Sequence, residues 1–90
     1  MEFKKPKLDQ KVYVLYTCSI TQTKVEYLGK DKFLVEDYAS KIDEAQAYEY
    51  KNYNFTWFTS LKKAKEQLLL DHPDSKIKKI DEDYWEAQYD

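Results

Sequence analysis

Apolar side chains in the first third of the chain recur at every second residue, the spacing of β-strands. In Lys-Val-Tyr-Val-Leu-Tyr-Thr, residues 11–17, Val12, Val14 and Tyr16 share one face and Tyr13 and Leu15 the other. Both faces are apolar and rich in β-branched and aromatic groups, so this strand is expected to be covered on both sides. Residues 22–28 alternate more simply, with Thr23, Val25 and Tyr27 opposite Lys24 and Glu26. A polar turn at 29–32 holds the sole glycine, Gly29, and Phe33, Leu34 and Val35 follow it. Two strands around a short polar turn predict a hairpin. The pattern weakens after Tyr38, through polar and acidic residues 39–44. Tyr48 and Tyr50 then alternate with Glu49 and Lys51 and predict a strand over 46–51. A short strand over 55–58 is expected to lead into a helix.

The period changes at residue 60. Leu61, Ala64 and Leu68 stand at helical spacing, with Leu69 beside them, while Lys62, Lys63, Lys65 and Glu66 point to water. Ser60, or Thr59 before it, is placed to cap the first backbone N–H groups. Pro73 disfavours helical dihedrals at His72, so the helix should span about 60–71. Its first turn carries lysines, which the helix dipole disfavours by a few tenths of a kcal/mol each. Beyond Pro73, Ile77 and Ile80 lie in a lysine-rich stretch to which the pattern assigns no element. Residues 84–89 read as a final strand with Trp85, Ala87 and Tyr89 on one face. The order β-β-β-β-(β)-α-β predicts an α+β fold: a small, curled, mostly antiparallel sheet, SH3-like barrel included, with one packed helix.

Composition sharpens this picture. Ninety residues suit a single domain spanning 1–90, and so short a chain needs an efficient core. Aromatic residues at 17% supply it, each ring burying about 150–250 Å². One glycine and two prolines leave no material for a linker. Cys18 is alone, which fits a reducing compartment, and no apolar run reaches the roughly 18–20 residues of a membrane span. The first residues lack the apolar stretch of a signal peptide, so a cytoplasmic location is expected.

Chemistry is sparse. His72 offers one imidazole beside Asp71 and Asp74, too few donors at the wrong spacing for a metal motif. Asp81-Glu82-Asp83 lacks the glycine and the distant glutamate of a calcium loop. Cys18 needs a base to act as a nucleophile, and a small half-buried thiol explains it more simply. One glycine cannot build a phosphate-cradling loop. No catalytic residue, metal or cofactor is therefore expected, and the chain reads as a non-enzyme.

Charge carries more information. All fifteen basic residues are lysine. Without arginine's planar fork, sequence-specific DNA reading is disfavoured. The net charge of −2 hides blocks: five acids against Lys41 over 36–49, and five acids with no base over 81–90. Six lysines stand against three acids over 60–79. Such blocks suit either solvated faces or a bipolar surface that steers a charged partner. Asp81, Glu82, Asp83, Glu86, Tyr84 and Tyr89, with Glu36, Asp37, Asp43 and Glu44, have the acidic, tyrosine-rich composition of an interface. Lys62, Lys63, Lys65 and Tyr53 form the opposite candidate, a lysine and aromatic set of the kind that holds single-stranded nucleic acid.

Three stretches, Lys-Val-Tyr-Val-Leu-Tyr (11–16), Tyr-Leu-Gly-Lys-Asp-Lys-Phe-Leu-Val-Glu-Asp-Tyr (27–38) and Thr-Trp-Phe-Thr-Ser-Leu-Lys-Lys-Ala-Lys (56–65), resemble small uncharacterised proteins of phages and mobile elements of low-GC Gram-positive bacteria. In size and in its acidic, tyrosine-rich surface the chain is also similar in style to phage-encoded inhibitors of bacterial defence, such as anti-CRISPR proteins. This resemblance implies an interaction protein that binds and blocks a host protein with a basic surface, one that handles nucleic acid. Single-stranded nucleic-acid binding is the alternative expectation.

Overall fold

The computed structural model describes residues 4–36 and 47–89. The elements are β1 (Lys11–Tyr16), β2 (Ser19–Leu28), β3 (Lys32–Val35), β4 (Ala47–Glu49), β5 (Trp57–Phe58), α1 (Leu61–Asp71), β6 (Ser75–Asp81) and β7 (Tyr84–Tyr89). A single 3-10 turn, Tyr50–Asn52, follows β4. All strand pairs are antiparallel. They run in the order β4-β3-β2-β1-β5, and β7 joins β2 while carrying β6 on its far side. Among the described residues no pairing closes the sheet on itself, so it forms a curled half-barrel with one helix. The α+β expectation stands in this form.

Strand β2 organises the whole. Its long length lets one edge pair with β1 over residues 19–24. The other edge is divided, with β7 along residues 19–21 and β3 along 25–28. A bulge between Val25 and Tyr27 inserts an extra residue opposite β3. That irregularity breaks the alternation predicted for 22–28: Thr23 and Val25 are buried, whereas Tyr27 is exposed. At the β2–β3 turn, Gly29 donates its N–H to the Lys32 carbonyl. A Cβ on Gly29 would lie 2.7 Å from that same carbonyl oxygen, which is why glycine stands here.

Two hydrophobic clusters lie on opposite faces of the sheet, and the alternation along β1 feeds both. Val12 and Val14 enter the first with Val25, Phe33, Val35, Tyr48, Tyr50 and Trp57. Tyr13 and Leu15 pack on the second, built from Ile20, Phe58, Ala64, Leu68 and Trp85. Adjacent Trp57 and Phe58 divide in the same way, one ring into each core. The expectation of a strand covered on both sides is met, with one exception: Tyr16 is exposed, because it ends β1 beyond the first cluster. In that cluster the Phe33 ring meets Trp57 edge-on at 5.0 Å and stacks on Tyr50 at 5.8 Å. The Trp57 indole N–H donates to the Glu49 carbonyl at 3.0 Å, which satisfies the one polar atom of a fully buried ring.

Helix α1 covers the second face. Ser60 is its cap, accepting from the Lys63 N–H at 3.4 Å, while Thr59 has another partner described below. Ala64 and Leu68 are buried and Leu61 packs beside them, as the helical stripe requires; Leu69 and Leu70 are exposed. The helix stops at Asp71, with the His72 N–H on the Leu68 carbonyl at 2.9 Å.

The stretch after Pro73 that the pattern left without an element is strand β6. It pairs with β7 from Ser75 opposite Tyr89 to Asp81 opposite Tyr84, with a shift between Lys79 and Asp81. Its signal is weak because, among the described residues, it pairs on one side only and needs little apolar surface. The strand predicted over 46–51 is β4 plus the 3-10 turn. That over 55–58 shrinks to Trp57 and Phe58.

Candidate functional site

Two charged regions emerge when the candidate residues are placed on this frame. The first is acidic. Strands β7 and β3 lie end to end along one edge of β2, so the start of β7 meets the end of β3. The Gln22 N–H donates to the Asp83 carbonyl at 2.8 Å, and the Glu36 N–H donates to the Lys24 carbonyl at 2.9 Å. Two acidic blocks far apart in sequence thereby approach each other to within two residues of β2, roughly 7 Å of strand.

The side chains are distributed around this edge. Register places Asp81 opposite Tyr84, and Glu86 follows Tyr84 on the same face two residues on. The Tyr84 hydroxyl donates to Glu86 Oε2 at 3.2 Å, and the Gln88 amide donates to Glu86 Oε1 at 3.4 Å. Asp83 and Glu36 belong to the other face, where Asp83 Oδ1 accepts from the Gln22 amide at 3.1 Å. Glu82 lies exposed in the turn, its N–H held by Asp81 Oδ1 at 2.8 Å. The result is a rim with carboxylates on both sides. The backbone of Lys24 stands beside that of Glu36, and register sets Lys78 opposite Glu86. Asp37, Asp43 and Glu44 lie outside the described residues.

Tyr89 does not join this rim. It sits five residues beyond Tyr84, about 17 Å along the strand, on the opposite face, and is 74% exposed. The tyrosines that sequence proximity groups together are divided by the alternation of β7.

The second region is basic, and sequence reasoning found half of it. Lys62 and Lys63 are exposed on the first turn of α1, and Lys65 is partly covered. Tyr53 is no free platform: its ring packs on Trp57 at 4.7 Å, and its hydroxyl shares a 2.9 Å hydrogen bond with the Thr59 hydroxyl. The missed members come from the N-terminal segment. Lys4 Nζ lies 5.2 Å from the Tyr53 ring centroid, and Lys5 Nζ lies 5.4 Å from that of Tyr50. The Thr59 hydrogen bond, helped by the charges of Lys4 and Lys63, holds the Tyr53 phenol below its ordinary value against the opposing effect of burial. No local pattern connects residue 4 with residue 53. The sequence of this segment shows only an excess of lysine, Lys4, Lys5, Lys7 and Lys11 against Glu2 and Asp9.

The remaining chemical candidates stay apart. Cys18 sits in the two-residue turn between β1 and β2, where its carbonyl accepts from the Ala87 N–H, and His72 caps the helix. Among the described residues no group of three or more His, Cys, Asp or Glu side chains gathers as a metal ion would need. No described helix is long and apolar enough to cross a membrane. Compared with protein-family models, with curated proteins and with solved structures, the chain matches none.

Proposed function

We propose that this protein is a small non-enzymatic interaction module of phage type, which binds a basic surface of a host protein through its acidic rim and blocks it. The observation that carries this reading is the meeting of Asp83 and Glu36 on one edge of β2. A fold indifferent to charge gains nothing by setting two acidic segments end to end, where like charges repel. A partner rich in lysine or arginine turns that repulsion into attraction. Carboxylates on both sides of a rim suit a groove better than a flat surface, and a basic groove is what proteins that handle nucleic acid present to phosphates. A host defence component of that kind is the target class that the resemblance to phage-encoded inhibitors supports. Tyr84, partly covered and held to Glu86, supplies aromatic contact at the rim.

Affinity capture from the host cytosol, followed by titration of the captured partner, tests the reading. The wild type is expected to bind with strong salt dependence, and a variant with Asp81→Lys, Glu82→Lys and Glu36→Lys to bind more weakly with a flatter salt response. Equal affinity of the two proteins would sink the acidic-rim proposal.

A further inference from the structure

Strand β6 is a long open edge on a sheet whose other edges are short. Among the described residues the sheet ends at β4, with three residues, at β5, with two, and at β6, with seven residues paired only to β7. Proteins guard their edges against unwanted pairing by keeping them short, and β6 departs from that pattern. The direction of its backbone groups follows from β7. The Ala87 N–H donates to the Cys18 carbonyl on the β2 side, so alternation turns Glu86 and Gln88 toward β6. Register sets these two opposite Lys78 and Lys76, whose backbone groups therefore face β7. Those of Ile77 and Lys79 face the other way, where no described strand pairs. Ser75 shares that outward side and donates its N–H to the His72 carbonyl at 3.1 Å. The shift between Lys79 and Asp81 ends the regular run.

Side chains restrict what can pair there. Ile77 packs against the second hydrophobic cluster, and on that same face Lys79 Nζ lies 5.8 Å from the Trp85 ring centroid. Lys76 and Lys78 stand on the opposite face. A second copy of the chain is a poor partner. Antiparallel pairing of two β6 edges must bring outward residues opposite one another. Ile77 opposite Ile77 sets Lys76 of each copy against Lys78 of the other. Ile77 opposite Lys79 sets Lys78 against Lys78, and Lys79 opposite Lys79 repels directly. Like charges placed in this way are destabilising. The same lysines attract a strand that carries carboxylates, so charge closes the edge to itself and opens it to an acidic partner.

We propose that β6 is the docking edge for an extended segment of a partner protein in which acidic residues alternate with apolar ones. The segment adds antiparallel to β6 as a further strand, and its backbone pairs with that of Ile77 and Lys79. Its acids stand opposite Lys76 and Lys78 on one face, where Lys78 then lies between a partner carboxylate and Glu86 on β7. Its apolar residue opposite Ile77 extends the second cluster. This surface differs from the acidic rim in sign and in mode: the rim attracts cations through side chains, whereas β6 pairs through its backbone. The two proposals stand or fall separately.

The test is fluorescence anisotropy of the full chain with a labelled peptide of alternating glutamate and valine, about nine residues long, at roughly 20 mM salt. The peptide is expected to bind in the micromolar range. N-methylation of its valine amides, which face β6, should abolish binding, and N-methylation of its glutamate amides, which face solvent, should leave it. Lys78→Glu should weaken binding about threefold to tenfold and reduce its dependence on salt. Amide hydrogen exchange adds a readout of place. The peptide should slow Ile77 and Lys79, whereas Lys76 and Lys78 are slow already in the free protein. No binding up to about 100 µM overturns the proposal. So does equal binding of the two methylated peptides, or competition by inorganic polyphosphate that matches the peptide charge for charge. A dimer of the free protein with slow exchange at Ile77 and Lys79 would also overturn it, since the edge would then serve a second copy.

Discussion

Glu36 and Asp83 occupy neighbouring places on one edge of β2: the backbone of Asp83 accepts from Gln22, and that of Glu36 donates to Lys24. Neither residue is near the other in sequence, and both end up on the same face. Under the proposed function their acidic neighbours act on a partner as one set. Reversal of Asp81, Glu82 and Glu36 together is expected to reduce partner affinity by roughly tenfold, since each exposed pair is worth about 0.2–1 kcal/mol. Most of the change should appear in the association rate. Surface binding kinetics at two salt concentrations measure it, and a loss confined to dissociation would contradict a steering role.

Phe33 is the centre of the aromatic core, in contact with Trp57, Tyr50 and Tyr48 and fully buried. Phe33→Ala removes three ring contacts and leaves a cavity that the short strands cannot collapse. A loss of about 3–5 kcal/mol is expected in chemical unfolding, enough to unfold most of the protein.

Thr17 opens the two-residue turn between β1 and β2 with a φ of 53°. A β-branched side chain in the left-handed region costs about 1–2 kcal/mol, and glycine removes that cost while losing about 0.5–1 kcal/mol of chain entropy. Thr17→Gly should therefore raise stability by about 0.5–1 kcal/mol, read as a higher denaturation midpoint with an unchanged slope.

The start of α1 holds two opposing effects. Ser60 caps it through a long 3.4 Å contact, so Ser60→Ala should cost about 0.5–1 kcal/mol, the lower part of the usual range. Lys62→Glu places an acid where the dipole favours one and should stabilise the fold by about 0.3–1 kcal/mol. Paired thermal melts of the two variants should move in opposite directions.

Burial, with a smaller contribution from Tyr16, pushes the Tyr48 phenol up to about 12 from an ordinary value of 10.0. The folded state thus keeps its proton where the unfolded state releases it. The stabilisation is fully present below pH 10 and is lost as pH rises through the window from 10 to about 12. Allowing for partial screening by solvent, about 1–2 kcal/mol should disappear across that window. Tyr50 is raised in the same direction by its burial, ahead of Asp31, and steepens the fall. Urea unfolding at pH 9 and pH 11 should show the loss, reduced in Tyr48→Phe.

The sequence by itself determined the local elements. The double-sided alternation of 11–16 specified a strand covered on both faces, since no other conformation buries Val12 and Leu15 in opposite directions. The stripe of Leu61, Ala64 and Leu68, with Ser60 before and Pro73 after, specified the helix and its ends. Those signals are legible because they depend on neighbours within a few residues, where backbone period and capping chemistry act. Tertiary structure alone decided that 75–81 is a strand, because its partner β7 supplies the hydrogen bonds and its own side chains need little burial. It also decided that Glu36 meets Asp83 and that Lys4 covers Tyr53. Each of these results from strand register and chain return, which are set by backbone pairing between distant segments and leave no periodic trace in the residues they bring together.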